Sequence, residues 1–276
     1  MMRYRISILC ENSVGPVFGT LGEHGFSALI EWDDGSLLFD TGQGLTLLHN
    51  AQRMNKNLHQ VRQVALSHGH YDHSGGLLPL LRNCGPKQVF AHPAVFSSRY
   101  RLNDLGEALS IGMPYPRDYL EGQGACFDLS DAFREIAPGI FLTGQIAAGI
   151  TGAADSGLFL DPCGQTPDPF HDDQSLILRT EQGSVLLLGC CHAGLSETLR
   201  LVVALTGDAR IAAVAGGTHL GFCNEQHLET TLAELGAFGV KRWYPAHCTG
   251  QRATFRLQQR FPGAVVGAQV GTGFEL

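Results

Sequence analysis

The stretch Ser67-His68-Gly69-His70-Tyr71-Asp72-His73-Ser74-Gly75-Gly76-Leu77 places three imidazoles and one carboxylate within six residues. It follows an apolar, β-branched segment at 61–66, which predicts a buried strand, and it precedes residues 77–81, where a helix is predicted to begin. The candidate ligands therefore lie where a strand ends and a helix begins.

The residue types and their spacing indicate a metal site. Alternate side chains of an extended segment point the same way, so His68 and His70 can converge on one cation, while Asp72 and His73 can address a second point nearby. Imidazole suits zinc, and carboxylate suits zinc, iron or manganese. Two ions about 3.5–4 Å apart would stabilise both the attacking and the leaving oxygen of a hydrolysis. The alternative, a His-rich surface loop, is disfavoured by this density of ligand types beside a strand.

The pattern H-x-H-x-D-H resembles the first metal motif of the metallo-β-lactamase superfamily, and Phe39-Asp40-Thr41-Gly42 resembles its D-T-G element. The resemblance implies that Asp40 orients the ligand loop. Five further segments resemble the branch typified by the archaeal dihydropterin ribofuranosyl-aminobenzene phosphate synthase. They are His24-Gly25-Phe26-Ser27, Asp172-Asp173-Gln174-Ser175-Leu176, Gly189-Cys190-Cys191-His192-Ala193-Gly194, Gly216-Gly217-Thr218-His219-Leu220 and Pro245-Ala246-His247-Cys248-Thr249-Gly250. The resemblance spans nearly the whole chain and implies an α/β fold, the four-layer αβ/βα sandwich.

Further ligands must come from later strand ends, because the first motif cannot complete two zinc shells. By the resemblance, His247 is the last ligand and shares a site with Asp72 and His73, and His192 is predicted to complete the His68/His70 site. The superfamily usually ends the strand before His192 with Gly-Asp, the Asp bridging both metals, whereas this chain has Gly189-Cys190. A bridging carboxylate would come from Asp172 or Asp173, or be absent. Cys190 is either a soft ligand or, as is more common at a strand end, buried core.

Other residues are predicted near this centre. His219 is a ligand, a substrate-binding group or a general acid, and His24, Glu11 and Asn12 either line the pocket or brace the N-terminal loop. The expected cofactor is zinc, one or two ions per chain, with manganese or iron as alternatives. Whether one or two ions bind is left open by the sequence.

Composition limits the class of protein. With 276 residues, 44% of them hydrophobic and 16% charged, the chain fits one globular domain over 1–276, in which 94–145 is either a substrate-selecting insert or a surface elaboration. A net charge of −7 without a basic run argues against nucleic acid and for a small-molecule substrate. Without an apolar run of about 18 residues or a signal segment, we expect a cytoplasmic protein with no membrane partner. The eight cysteines lack disulfide-scaffold spacing and are expected to be mostly free thiols. The oligomeric state is not indicated.

Periodicity and turn residues predict the remaining elements. Predicted strands lie at 4–10, 26–31, 37–40, 87–91, 175–180, 185–189, 211–215, 240–244 and 264–270, with an Asp-Gly hairpin turn at 33–36. Predicted helices lie at 45–54, 195–205, 224–238, with Asn224 as N-cap, and 249–261.

The mechanism that follows is hydrolysis. A metal ion would lower the pKa of a bound water from 15.7 toward about 7; Asp72 would orient that water and accept its proton, and His219 would stabilise or protonate the leaving group. The predicted substrate is a small phosphorylated or ester metabolite. Alternatives are a pterin-precursor synthase-like transferase, a non-catalytic metal-bound sensor, and iron-based redox chemistry. The last is disfavoured because flavodiiron relatives usually place Glu where His70 stands and carry an additional flavodoxin domain.

Overall fold

The computed structural model describes residues 3–147 and 157–276. The strands are β1 (Arg5–Cys10), β2 (Ser27–Trp32), β3 (Gly35–Phe39), β4 (Gln63–Ala65), β5 (Lys87–Ala91), β6 (Tyr100–Leu102), β7 (Ala108–Ser110), β8 (Ala125–Leu129), β9 (Arg134–Ala137), β10 (Ile140–Leu142), β11 (Leu158–Phe159), β12 (Leu176–Thr180), β13 (Gly183–Leu188), β14 (Ile211–Gly216), β15 (Trp243–Pro245) and β16 (Gly273–Glu275). The α-helices are α1 (Leu47–Arg53), α2 (Tyr71–Ser74), α3 (Leu77–Cys84), α4 (Arg117–Gly122), α5 (Leu195–Thr206), α6 (Glu225–Leu235) and α7 (Gly250–Arg260).

The strands form two large sheets and a small one. The first has the order β16-β1-β2-β3-β4-β5-β8, the second β15-β14-β13-β12-β10-β9, and the small sheet β11-β6-β7. Strands β3, β4, β5 and β8 are parallel to one another, and so are β13, β14 and β15. Parallel neighbours bring their carboxyl ends to the same edge of a sheet, which is where open α/β sheets usually bind ligands.

Apolar side chains pack between the two large sheets and also on the outer face of each sheet, under the helices. Both faces are buried because the central strands are apolar on both sides. Leu37 and Phe39 pack between the sheets against residues of β12 and β13, whereas Leu38 faces α1 and α3. Helices α5, α6 and α7 cover the outer face of the second sheet in the same way. Strands buried on both faces appear as continuous apolar runs. The predicted α/β class and four-layer αβ/βα arrangement are confirmed.

Several predicted elements differ in extent from the observed ones. The β2–β3 turn is Asp33-Asp34, because Gly35 already pairs with Trp32. The segment 264–270 hydrogen-bonds to β15 but forms only isolated bridges, and the regular C-terminal strand is β16. The side chain of Asn224 accepts a hydrogen bond from the His227 amide, which confirms the predicted N-cap.

The segment 94–145 is divided between different parts of the fold. It supplies β8 to the first sheet and β9 and β10 to the second. Within it, only β6 and β7, paired with β11, stand apart from the large sheets. Both the insert at 94–145 and a single domain over 1–276 stay predictions.

All eight cysteines are free thiols, as predicted. Among the helices of the described residues, none has both the length and the apolar character needed to cross a bilayer.

Candidate metal centre

The loops that follow strands β3, β4, β13, β14 and β15 converge at one edge of the two large sheets. They carry Asp40, the His68–His73 motif, His192, His219 and His247, respectively. Because these residues come from five strand ends, the sheets fix their relative positions. His68, His70, Asp72, His73, His192 and His247 are all buried.

The first group consists of His68, His70 and His192, whose donor nitrogens all lie within 4.8 Å of one another. Nε2 of His68 is 3.0 Å from Nδ1 of His70, and the buried Nε2 of His70 has no hydrogen-bond partner within the described residues. Burial, reinforced by the neighbouring imidazoles, lowers the pKa of His68 and of His70 well below the usual value. Both rings are therefore neutral at pH 7, the form that binds zinc.

The second group contains Asp72, His73 and His247. Oδ2 of Asp72 lies 3.3 Å from Nε2 of His247 and 3.9 Å from Nε2 of His73, and these two nitrogens are 3.2 Å apart. Nε2 of His24 lies 3.1 Å from the same carboxylate oxygen, so His24 joins this group. Burial opposes ionisation of Asp72, but the three histidines outweigh it and hold the pKa of the carboxyl well below its usual range.

Polar side chains hold the imidazoles in the orientation that metal binding requires. Nδ1 of His73 donates to Asp40 Oδ2 at 2.7 Å, Nδ1 of His247 lies 2.8 Å from Asn12 Oδ1, and Nδ1 of His68 lies 2.8 Å from Ser67 Oγ. In each ring, Nε2 is therefore the nitrogen that faces the centre. This pattern is typical of metal-binding histidines, so the donor set fits a divalent cation.

Asp40 connects two parts of the centre. Its Oδ1 accepts a hydrogen bond from the Ser67 amide and its Oδ2 from Ser67 Oγ, each at 2.7 Å, in addition to the bond from His73. Burial lowers the pKa of His73, but Asp40 and Asp72 outweigh burial and raise that pKa to about 9. A cation that binds Nε2 of His73 must displace a proton there. These contacts support the predicted orienting role of Asp40.

Replacing Asp40 with Asn tests this role. D40N keeps the shape but removes the charge, so we expect metal affinity to fall about 10- to 100-fold, as is usual when the partner of a ligating histidine is lost. Zinc titration against a chelating dye measures the affinity. The matched control is D34N, in the exposed β2–β3 turn. Equal affinity in D40N and the wild type would contradict the role.

Asp172 and Asp173, the two candidates for a bridging carboxylate, contact the backbone of the ligand loops. Oδ2 of Asp172 accepts a hydrogen bond from the Gly69 amide at 2.7 Å, and Oδ2 of Asp173 accepts one from the Ala193 amide at 2.8 Å. Within the described residues, neither belongs to a group of converging donor atoms. These contacts favour a role in holding the backbone of the ligand loops over the predicted bridging role. Gly69 is required there, since a Cβ would lie 1.9 Å from the carbonyl oxygen of Val95.

The N-terminal loop braces the centre. Oε1 of Glu11 accepts a hydrogen bond from the His247 amide at 2.6 Å, and Asn12 holds the ring of the same residue. His247 has φ of 50°, and Asp40, His219 and Cys191 have φ of 58°, 58° and 63°. Left-handed backbone costs energy in residues other than glycine, and it concentrates at functional sites. Of the two predicted roles for Glu11 and Asn12, these contacts favour bracing the loop.

The centre opens into a cavity of about 430 Å³. His24, His219, Tyr71 and the exposed Phe222 contribute to its wall. His219 also shares a group of converging donor atoms with Cys190 and His192, which places it beside the first group. Among the described residues that line the cavity, Arg101 on β6 is the only Lys or Arg.

Sequence reasoning missed three features of the site. Ser67, next to the first ligand, is the one that adjacency in the motif could have indicated. Arg101 lies in the segment 94–145 but was assigned no role of its own. The buried cluster of Arg99 with Asp168 and Asp172 carried no signal in the sequence, because the two aspartates are distant from Arg99 in the chain.

Comparisons with known proteins agree with this architecture. A family model described as the metallo-β-lactamase superfamily matches residues 21–247. A curated relative from Methanocaldococcus jannaschii, named 7,8-dihydropterin-6-methyl-4-(beta-D-ribofuranosyl)-aminobenzene-5'-phosphate synthase, is 28% identical over 269 residues, which cover 93% of this chain and 91% of the relative. A solved structure described as a metal-dependent hydrolase of the β-lactamase superfamily is 31% identical, covers 99% of both chains and has a TM-score of 0.83. The Zn(2+)-bound PqqB of Methylobacterium extorquens, at 12% identity and a TM-score of 0.58, shares the fold.

Proposed function

Because the chain belongs to the metallo-β-lactamase superfamily, we propose that it is a zinc-dependent hydrolase of small phosphorylated or ester metabolites. One observation carries the proposal. Two groups of buried donor atoms, His68/His70/His192 and Asp72/His73/His247, lie side by side at the wall of one cavity. That arrangement provides ligands for one or two ions next to a space for a substrate.

Different side chains of the cavity have different roles in the proposed hydrolysis. Bound zinc would supply Lewis acidity and a nucleophile at neutral pH. The low pKa of Asp72 keeps this carboxylate ionised, so that it would orient the attacking water, while the proton of that water passes to solvent. The hydrogen bond to Asp72 raises the pKa of His24, so this half-exposed ring can hold a proton beside the carboxylate. His219, which lines the same cavity, stabilises or protonates the leaving group.

Arg101 supports an anionic substrate. No hydrogen bond or ion pair engages its guanidinium within the described residues, and the side chain is exposed. A free guanidinium at the rim of a cavity suits a phosphate or carboxylate group, which it can bind through two parallel hydrogen bonds. We assign substrate selection to the small sheet of β6, β7 and β11, which joins the metal loop where the Tyr71 amide donates to the carbonyl oxygen of Ile111 at 3.0 Å.

Replacing Arg101 with Gln tests this assignment. A hydrogen bond to a charged group contributes roughly 1.5–3 kcal/mol, so R101Q is expected to raise KM for a phosphorylated substrate about 10-fold or more. The KM of a neutral ester or lactone should stay unchanged. Steady-state kinetics on both substrates measures the difference, with R117Q as the control because Arg117 lies outside the cavity lining. An equal change for both substrates would contradict anion recognition by Arg101.

A synthase-like transferase is the second candidate. The similarity to the synthase from M. jannaschii supports it, because the alignment of the two sequences covers 93% of this chain. In such a reaction the same centre would activate a leaving group for condensation, with an acceptor other than water.

One assay separates the two candidates. The zinc-loaded protein is mixed with a hydroxymethyl-dihydropterin diphosphate and ribofuranosyl aminobenzene phosphate, and in parallel with a panel of phosphodiesters, phosphomonoesters and lactones. Turnover of the panel without pyrophosphate release from the mixture supports the hydrolase. Pyrophosphate release that depends on both components supports the transferase. Metal binding without turnover of either kind would contradict both and favour a metal-bound sensor.

A further inference from the structure

Cys190 lies between the two ligand groups. Its sulfur is within 4.8 Å of donor atoms in three sets of converging side chains: with His68 and His73, with His192 and His219, and with His247 and Cys248. The distance from Sγ to Nε2 of His73 is 3.1 Å. One sulfur atom therefore faces the first group, the second group and the cavity-lining His219. Cys190 is the second residue after β13.

Cys191, the next residue, has the surroundings expected of a thiol with a purely structural role. Cys191 packs in the apolar cluster beneath α5, and its Sγ lies 3.3 Å from Thr198 Oγ1. Cys190 is equally buried, at 4% exposure, but belongs to none of the apolar clusters. Its surroundings are ring nitrogens and a carboxylate. Because its Sγ lies at hydrogen-bonding distance from His73 Nε2 and not in an apolar cluster, core packing does not explain the position of Cys190.

Cys248 also lies close to the two ligand groups, but its contacts differ from those of Cys190. Its Sγ accepts a hydrogen bond from the His219 amide at 3.3 Å and donates one to the carbonyl oxygen of Cys190 at 3.5 Å. These contacts hold two loop backbones together. Cys248 is therefore a positioning residue for the loops that carry Cys190 and His219.

We propose that the Cys190 thiolate would serve as a metal ligand beside the two groups, and that it would make the centre selective for zinc over manganese. The proposal rests on the proposed metal centre. On metal binding the S–H bond breaks, a metal–sulfur bond forms and the thiol proton passes to solvent. A soft thiolate favours zinc, whereas carboxylate and water favour manganese.

Cobalt substitution tests the ligand directly, without an activity assay. The wild-type protein loaded with Co(II) is expected to show a near-ultraviolet thiolate-to-cobalt charge-transfer band. The band should persist in C191A and C248S and disappear in C190S and C190D. C190D puts a carboxylate in place of the thiolate, so it should keep the cobalt content of the wild type. Its preference for zinc over manganese in a competition titration should fall by about tenfold or more.

The outcomes separate this inference from the proposed function. A charge-transfer band that persists in C190S and C190D overturns the inference, and so does a wild-type protein that binds cobalt without the band. In both cases the metal centre itself stands. A wild-type protein that binds no cobalt overturns the metal centre and the inference together. If C190S does not fold by circular dichroism, C190D carries the comparison, because it fills the same position with a donor group.

Discussion

Replacing His68 or His247 with alanine is expected to abolish tight metal binding and to lower kcat/KM by about 10³-fold or more. The two residues belong to different groups, and each is buried with its Nε2 facing the centre. A metal ion contributes several kcal/mol of charge stabilisation in the transition state, and each 1.36 kcal/mol is tenfold in rate. Removing one ligand leaves the remaining donors too few to hold the ion.

Metal content by plasma mass spectrometry and kcat/KM on a turned-over substrate check this prediction. Circular dichroism should show the fold retained in both variants, because neither histidine belongs to the apolar clusters that join the layers. The control is H59A, since His59 is an exposed histidine outside the centre. Full metal content together with full activity in H68A or H247A would refute the proposed metal centre.

The metal motif was predictable because its chemistry is local. Four donor side chains within six residues need only one turn to converge, and that turn is α2. The distant ligands His192 and His247 were predictable from the resemblance and from their positions at strand ends. The structure brings both into the expected groups, although only a metal-binding measurement tests ligation.

Two of the strands that escaped prediction, β8 and β9, lie at the edges of the large sheets. β8 ends the first sheet and β9 ends the second, and each has only one strand neighbour. Their half-buried positions include the ion pair of Asp128 with Arg134, so they lack the continuous apolar run of the central strands. An edge strand of three to five residues with charged side chains has the same local pattern as a loop.

Whether Cys190 is a ligand or part of the buried core also lay beyond the sequence. Cys190 and Cys191 both follow β13, and which one faces the centre depends on the left-handed backbone at Cys191. The roles of Asp172 and Asp173 depended likewise on the direction of their side chains. Sequence reasoning placed these two carboxylates near the centre, but only the fold shows that they face backbone amides.

Replacing Arg99 with Met is expected to lower the free energy of unfolding by about 3–5 kcal/mol. Nε of Arg99 donates to Asp168 Oδ2 at 2.7 Å, and Nη2 donates to Asp172 Oδ1 at 2.5 Å. The side chains of Arg99 and Asp168 are 2% exposed and that of Asp172 is 0% exposed. Methionine would leave two buried carboxylates without a cation, and removal of one partner from a buried ion pair typically costs this much.

Urea denaturation of the metal-free proteins measures the loss. R117M is the matched control, because Arg117 forms an exposed pair with Glu121 one helical turn away, and such pairs contribute only about 0.3–0.5 kcal/mol. Adding D168N and D172N to R99M removes the unpaired charges and should recover part of the stability. A loss in R99M no larger than that in R117M would contradict the structural role of Arg99.

The loss in R99M should also depend on pH, with a definite sign. Burial, which Arg99 partly offsets, raises the pKa of Asp172 to about 6, above the value of about 3.9 for an unfolded chain. Without Arg99 that pKa rises further, so over a wider pH range the native state binds a proton that the unfolded state does not. Stability then falls as pH rises, and the deficit of R99M relative to the wild type should be larger at about pH 8 than at about pH 5. Because Asp172 also accepts the hydrogen bond from Gly69, between two of the candidate ligands, the same variant should bind zinc more weakly. A deficit that is equal at both pH values would show that the cost of R99M does not come from the charge left on Asp172.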